Sequence, residues 1–498
     1  MNLARFTLAF LLLILASAAF GQTLPVEPLA IGKMPQYVMD SFVVDNHWAI
    51  KSKRDAVQRV FHSAKKHAAN PLFPKEDASF VWVLRDEADG TFRMWYQDNV
   101  LLKGVEKGRK YQALIAYAES ADGVKWTKPD LNLFPQVPVK PNNIVLAGPP
   151  GQPLESSAPC LLEVPEKDRR GFRYLMLYRS KGAGGKDYNG IRIAGSQDGI
   201  HWDAKSDTRI AHLHSDCANT ISYDPGREEY VMFCRPKHIY RTFKGSIVDT
   251  GASRRVARLA NKTLWTDWLK DQEPQTILIP DERDAEENYH FFYSMPTRYR
   301  DGIYWGFLEP FRLNDFIYTE LAYSRDGIHF TRDLRRSKLI EYGGEGSWDD
   351  TMIFASPGWV EVGDEWWIYY SGWDGPHGTT ERTGGLGLAK IRKEGLVSLR
   401  SPPGGGVVCT RRLIWPGGEL LVNAEVSQGE LRVRVSDEHR KILEGFDYQD
   451  CEPLTGSGVR QKVQWKNANI NELKGRVIRL EFQMTGVVDL FTFLAEPG

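Results

Sequence analysis

The chain has 498 residues, with 64 basic and 64 acidic side chains and a formal net charge of zero. This balance argues against a nucleic-acid-binding protein, whose phosphate contacts need a surplus of Lys and Arg. A mean hydropathy of −0.41 with 42% hydrophobic residues indicates a globular protein with a core. The 15 Trp, 20 Tyr, 23 Phe and 45 Gly favour strands and tight turns and exclude a long helical protein.

The N-terminus has the pattern of a cleaved signal peptide over residues 1–21. Arg5 precedes a short apolar run from Leu8 to Leu15, and small residues then lead to Gly21. The run is too short to span a bilayer, so we expect a secreted or periplasmic protein with no membrane span. The five cysteines are too few for a disulfide scaffold, and none has the spacing of a zinc site.

A recurrent turn sets the predicted architecture. A Ser-x-Asp-Gly segment followed by an aromatic residue is typical of a tight two-residue hairpin, in which Asp and Gly tolerate a positive φ. Copies recur along the chain at intervals of roughly 65–75 residues, which is typical of the blades of a β-propeller. The copies begin at Ser120, Ser196 and Ser324, with degenerate ones at Asn261 and Lys393.

Each unit also contains an aromatic-rich apolar segment, which predicts a strand buried between neighbouring blades. The repeats end near Leu399, and a Pro/Gly-rich linker follows from Ser401 to Gly406. Alternating apolar residues beyond it favour a second β-rich domain. We therefore predict an all-β protein in which a five-bladed β-propeller (residues 35–399) is followed by a C-terminal β-sandwich (residues 407–498). A β-sandwich in place of the propeller is the alternative.

The innermost strands of a propeller line a central channel, so acidic residues at the starts of those strands should converge at one mouth. One carboxylate precedes the aromatic strand of each unit at a similar distance. We expect Asp77, Asp216 and Glu287 to be catalytic and Glu155, Asp349 and Asp350 to bind substrate.

The aromatic strands run back toward the same mouth, so the residues that end them should lie close to it. Gln97, Arg179 and Arg235 take equivalent places in successive units, and arginines beside carboxylates can hold them ionised and bind substrate oxygens. The hairpin of the fifth unit adds Trp373 and His377, and Arg382 follows it. We expect these residues to bind substrate.

Carboxylates surrounded by Trp, Tyr and Arg favour carbohydrate chemistry. Glycoside cleavage uses one protonated carboxyl group and one ionised partner, and crowded acids raise each other's pKa. This chemistry needs no cofactor, although oxygen ligands of this kind also suit a structural Ca²⁺. The expected partner is an oligo- or polysaccharide.

With these features the sequence resembles the five-bladed propeller glycoside hydrolases of families 32, 43, 62 and 68, and a group of exported bacterial proteins with a family 32 N-terminal-like domain. Asn70-Pro71 followed by Asp77 is similar to the first-blade segment of family 43, and this resemblance implies that Asp77 is a catalytic base. Asp216 takes about the place of the general acid in those families, with Glu287 as the alternative.

The sequence also departs from those families. Cys160 stands where family 43 has the acid of a second-blade Ala-Pro-Asp, which leaves Glu155 as its substitute. The Trp-Met-Asn-Asp-Pro segment of family 32 is absent, Arg85-Asp86-Glu87 lacks the expected proline, and Cys451-Glu452 lies beyond the predicted propeller. The resemblance therefore implies fold and reaction class, whereas the catalytic residues are inferred from blade position.

Three functional hypotheses follow from the sequence. The first is a glycoside hydrolase acting on furanosides or on plant or algal glycans, with its stereochemistry left open. The second is a non-catalytic carbohydrate-binding propeller. The third is a sialidase-like hydrolase, suggested by the Ser-x-Asp-Gly turns, although five units rather than six count against it.

Overall fold

A computed structural model describes residues 27–45, 57–73, 78–100, 112–147, 154–182, 189–236, 240–243, 246–249, 254–312, 315–379 and 382–496. The predicted signal peptide lies outside these ranges. Among the described residues the helices are short: the α-helix Glu282–Glu286 and the 3₁₀-helices Glu166–Asp168 and Ile470–Leu473. The chain divides into two compact units, Val60–Val397 and the combination of Met1–Arg59 with Ser398–Gly498.

The larger unit is a five-bladed β-propeller. Each blade is an antiparallel sheet of four strands, numbered from the innermost outward, and the inner strand of blade 5 is interrupted. The strands are Ala78–Arg85, Phe92–Val100, Gln112–Ser120 and Ile144–Leu146 (blade 1); Leu154–Leu161, Tyr174–Gly182, Gly190–Ser196 and Trp202–Ala211 (blade 2); Thr220–Asp224, Glu229–Cys234, Val256–Asn261 and Gln275–Leu278 (blade 3); Thr297–Arg300, Ile303–Leu308, Glu320–Ser324 and Thr331–Arg332 (blade 4); and Met352–Ala355 with Val360–Val362, Glu365–Trp373, Gly384–Arg392 and Lys65–Lys66 (blade 5). A short hairpin, Tyr240–Phe243 with Ser246–Asp249, and an antiparallel pair of short strands, Phe291–Phe292 with Pro310–Phe311, complete the unit.

The aromatic segments are the second strands of the blades, as the sequence predicts. Their side chains fill the space between neighbouring sheets, so that Trp95, Met176 and Met232, from blades 1, 2 and 3, belong to one apolar core. Trp95, Tyr304 and Tyr369 are fully buried. Burial on both faces explains why these strands are apolar throughout rather than alternating.

The fourth strand of blade 5 comes from the start of the propeller, which closes the ring. Lys65 and Lys66 pair with Lys390 and Ala389 of its third strand. The side chain of Asn70 extends this pairing, because its Nδ2 donates to the carbonyl of Leu388 (2.9 Å) and its Oδ1 accepts from the same residue's N–H (2.9 Å). Asn70 thus joins the two ends of the unit.

The Ser-x-Asp-Gly segments follow the third strands of blades 1, 2 and 4, but they are longer than the predicted two-residue turns. In blade 1 five residues separate Ser120 from Trp126, and of these Gly123 has a positive φ of 73°. Asp122 instead accepts backbone N–H bonds from Val124 and Lys125 through Oδ1 (2.8 and 2.7 Å). The Asp is selected for this local hydrogen bonding rather than for a left-handed backbone.

The smaller unit is a β-sandwich. Leu480 and Val433 of one sheet pack against Val422 and Phe493 of the other in a single core. Residues 29–37 belong to this unit, because Leu29–Ala30 pairs with Leu413–Ile414 and Gln36–Tyr37 pairs with Val488–Glu496. The sequence analysis begins the propeller at residue 35, whereas the larger unit begins at Val60. The strands are Leu29–Ala30, Gly406–Cys409, Leu413–Ile414, Glu430–Asp437 and Val477–Thr485 in one sheet, and Gln36–Tyr37, Gln58–Phe61, Val397–Arg400, Glu419–Val426, Ser457–Lys462 and Val488–Glu496 in the other.

The five cysteines are all buried and unpaired. Cys217 and Cys234 lie close enough for their ionisation to interact, and burial raises the pKa of both thiols. They therefore act as small apolar residues. Within the described ranges, no helix is both long and apolar enough to cross a membrane.

Candidate active site

A cavity of about 650 Å³ opens where the inner strands of the propeller begin. Ser79 and Phe80 of blade 1, Glu155 of blade 2 and Met352 of blade 5 line it from the starts of their strands. Of the residues predicted from the sequence, the cavity brings together Gln97, Glu155, Arg179, Asp216, Trp373, His377 and Arg382.

Asp216 and Arg235 form an ion pair in this site. Nη1 of Arg235 donates to Oδ1 of Asp216, while Nε and Nη2 both donate to the carbonyl of Tyr293 (3.2 and 3.1 Å). Arg235 is only 6% exposed and lies behind Asp216, whose side chain is 42% exposed. Burial acts to raise the pKa of Asp216, but the charges of Arg235 and Arg179 outweigh it and lower that pKa below its ordinary value. Asp216 is therefore ionised at neutral pH.

Glu155 lies beside Arg179. Its carboxylate lies 3.9 Å from Nη1 of Arg179, and both side chains are nearly buried. Arg179 and Lys181 are two residues apart on the second strand of blade 2, so they project from the same face of the sheet. Lys181 stands directly opposite Glu155 in the strand pairing. Glu155 is thus placed between two cations.

His377 lies at the rim among aromatic rings and arginines. Its imidazole packs edge-on against the rings of Tyr293 (5.4 Å) and Phe311 (4.9 Å). Burial, together with the charges of Arg254 and Arg382, lowers the pKa of His377 to about 4. The imidazole is therefore neutral at physiological pH, and it can donate or accept one hydrogen bond but does not supply a positive charge.

Arg382 and Trp373 form the side of the cavity contributed by blade 5. The guanidinium of Arg382 lies 4.9 Å from the centre of the Trp373 ring, and its Nη1 donates to the carbonyls of Pro376 and His377 (3.2 and 2.7 Å). These bonds fix the hairpin beside the site, and an aromatic face with adjacent donors is suited to a sugar ring.

Three predicted site residues lie elsewhere. Glu287 is the C-cap of the short α-helix Glu282–Glu286, forms an ion pair with Arg283 (3.2 Å) and does not line the cavity. Asp349 is turned inward toward Lys66 (2.5 Å) and Tyr370 (2.8 Å). Asp350 accepts from the N–H of Gly346 (2.7 Å) within its own loop.

Asp77 lies outside the described residues, so its assignment as catalytic base stays a prediction. The lining residues that the sequence analysis missed include Asn99, Ser157, Lys181 and Tyr293. Asn99 and Lys181 each lie two residues beyond a predicted one, Gln97 and Arg179, so the two-residue period of a strand could have identified them. Tyr293 lies in the segment before the inner strand of blade 4, Thr297–Arg300, so no strand periodicity could indicate it.

A second cavity, of about 1110 Å³, lies where the inner strands end, at the opposite mouth of the channel. Arg298 pairs there with Glu163 (2.5 Å), and Arg173 pairs with Asp86 (2.6 Å). Because the charged groups of this mouth largely neutralise one another, the first cavity is the stronger candidate.

Among the described residues no three His, Cys, Asp or Glu side chains are grouped to hold a metal ion, and the Ca²⁺ site stays a prediction.

The chain matches no protein-family profile and no curated protein sequence. It is similar to several solved structures. A glycosyl hydrolase from Bacteroides ovatus matches over 68% of this chain and 97% of its own, with 13% identity and a TM-score of 0.44. An N-acetylgalactosamine deacetylase from F. plautii, in complex with blood group B trisaccharide, matches over 68% and 96%, with 16% identity and a TM-score of 0.44. A GH43_1 enzyme from Xanthomonas citri matches over 66% and 90%, with 12% identity and a TM-score of 0.40.

Proposed function

We propose that this protein is a glycoside hydrolase whose active site is the cavity at the starts of the inner strands. The observation that carries the proposal is that two carboxylates from adjacent blades, Glu155 and Asp216, line one cavity together with Trp373, Gln97 and Asn99. Paired carboxyl groups supply the acid and base of glycosidic cleavage, and an aromatic face with amide groups suits a sugar.

The two carboxylates are not equivalent, and this difference suggests their roles. Asp216 is kept ionised by direct contact with Arg235, so it suits attack on the anomeric carbon or activation of a water molecule. Glu155, whose carboxylate lies 3.9 Å from Arg179, is the other described carboxylate of the cavity and takes the role of proton donor. The glycosidic C–O bond then breaks as Glu155 protonates the leaving oxygen, and water supplies the new hydroxyl. Asp77 remains a predicted base in addition.

The test is an assay of a broad panel of neutral and acidic glycans for new reducing ends, with the anomer of the product followed by NMR. We expect Asp216→Asn and Glu155→Gln each to reduce cleavage by about 10²- to 10⁴-fold. Asp271→Asn, at an exposed turn residue outside the cavity, is the matched control and should retain full activity. Full activity of both cavity variants would reject the assignment.

A second function, sugar binding without cleavage, is favoured by one observation. Both described carboxylates of the cavity lie beside an arginine, and a carboxylate stabilised in its charged form is a poor proton donor. This alternative predicts that a glycan raises the melting temperature while no reducing ends form, and that Asp216→Asn changes binding alone.

A further inference from the structure

The charges around the cavity are unequal. Its lining contains two carboxylates, Glu155 and Asp216, and three cations, Arg179, Lys181 and Arg382. Arg235 and Arg254 stand over the ring of the lining residue Tyr293 and bring the described cations to five. Arg235 offsets the charge of Asp216 and Arg179 offsets that of Glu155. Three positive charges therefore remain without a carboxylate partner in the described part of the site.

Each of the three remaining cations is arranged so that its charge is not neutralised. Lys181 stands opposite Glu155 but forms no ion pair with any described residue, and the described hydrogen bonds of Arg382 are to neutral carbonyls. Arg254 stands over the rings of Tyr293 (5.4 Å) and Phe311 (4.8 Å), and its buried Nη1 has no hydrogen-bond partner among the described residues. Cations that are partly removed from water and left unpaired are costly unless a ligand brings the opposite charge.

We propose that the glycan bound in this cavity carries a negatively charged group, the carboxylate of a sugar acid or a sulfate ester. Lys181 and Arg382 are the residues on the lining that would contact it, and Arg254 adds its field from behind. A neutral His377 fits this arrangement, because it leaves a hydrogen-bonding group at the rim without adding to the positive charge. This inference rests on the proposed function, because it takes the ligand to be a sugar. It adds that the sugar is acidic.

The anion is inferred to be part of the sugar rather than a free oxyanion. The cavity is much larger than a phosphate or sulfate ion, and Trp373, Gln97 and Asn99 offer an aromatic face and amide groups that an inorganic ion would not use.

The test compares acidic oligosaccharides with neutral counterparts of the same backbone by titration calorimetry on the full chain. Oligogalacturonate is paired with its carboxyl-reduced form, and a sulfated galactan oligosaccharide with its desulfated form. We expect an acidic member to bind at least about tenfold more tightly than its neutral partner, as a charge-assisted hydrogen bond implies. Its affinity should fall as ionic strength rises from about 0.01 M to about 0.15 M.

Lys181→Gln should weaken binding of the acidic member by about tenfold more than that of the neutral member. Lys270→Gln, at an exposed turn outside the cavity, is the matched control and should change neither. Equal affinity for acidic and neutral members would overturn the inference, as would binding of inorganic phosphate in place of the acidic glycan. Binding of an acidic glycan without cleavage would reject the hydrolase alone, whereas cleavage confined to neutral glycans would reject only the charge inference.

Discussion

The contact between the turn of blade 2 and the core of blade 1 allows a quantitative prediction. Gly199 has a φ of 78°, and its carbonyl accepts a hydrogen bond from Nε1 of Trp95 (2.7 Å). A methyl group at Gly199 would lie 2.6 Å from Cζ2 of the fully buried Trp95 ring. Gly302 has almost the same φ, 77°, but no atom lies within 4 Å of the position of its methyl group.

We expect Gly302→Ala to lower the free energy of unfolding by about 1 kcal/mol, the cost of the left-handed backbone for a residue with a Cβ. Gly199→Ala carries the same cost and adds roughly 1–3 kcal/mol for overpacking against Trp95. The total loss for Gly199→Ala is therefore about 2–4 kcal/mol. Equilibrium urea unfolding followed by tryptophan fluorescence measures both. An equal loss in the two variants would refute the idea that the turn is packed against the neighbouring blade.

Three further predictions concern ionisable groups of the site and the channel. Arg235→Gln should raise the pKa of Asp216 toward its ordinary value and lower the free energy of unfolding by about 2–3 kcal/mol, a value reduced for the partial exposure of Asp216. Carboxyl NMR titration measures the pKa and urea unfolding measures the stability. An unchanged pKa would contradict the pairing. His377 takes up a proton below about pH 6.5 in the unfolded chain but only near pH 4 in the folded protein. The free energy of unfolding should therefore be highest above pH 6.5 and fall by up to about 3 kcal/mol on acidification. His377→Asn should remove this part of the dependence of melting temperature on pH, and an unchanged slope would refute it. Burial raises the pKa of Glu309 to about 8, so the folded protein should lose stability as pH rises from about 4.5 through 8. Glu309→Gln should therefore unfold at a higher urea concentration than the natural chain at about pH 9 but not at about pH 4, and equal midpoints at the higher pH would contradict it.

The fold could be predicted from local patterns that the structure uses directly. The Ser-x-Asp-Gly turns recur because each has a glycine of positive φ against an aromatic ring and an aspartate that accepts backbone N–H bonds, and both residues are visible in the sequence. The aromatic second strands are visible for the same reason. Closure of blade 5 by Lys65–Lys66 was not predicted, since a two-residue strand has no periodicity of its own.

The site was predicted only in part because its residues come from two kinds of chain segment. Gln97 and Arg179 lie on regular strands whose direction the sequence implies, and both line the cavity. Glu287 and Asp349 lie in loops, where equal spacing along the chain does not give equal position in space. Asp349 is directed away from the cavity by Lys66, a residue nearly 300 positions earlier, and no local pattern could indicate that pairing.

A crystal structure of the protein bearing Asp216→Asn, soaked with an acidic trisaccharide, tests the central claim most directly. The account predicts a sugar ring against Trp373, a glycosidic oxygen within hydrogen-bond distance of Glu155, and the charged group beside Lys181 or Arg382. A trisaccharide bound instead at the opposite mouth, beside Trp82 and Arg298, would contradict the account.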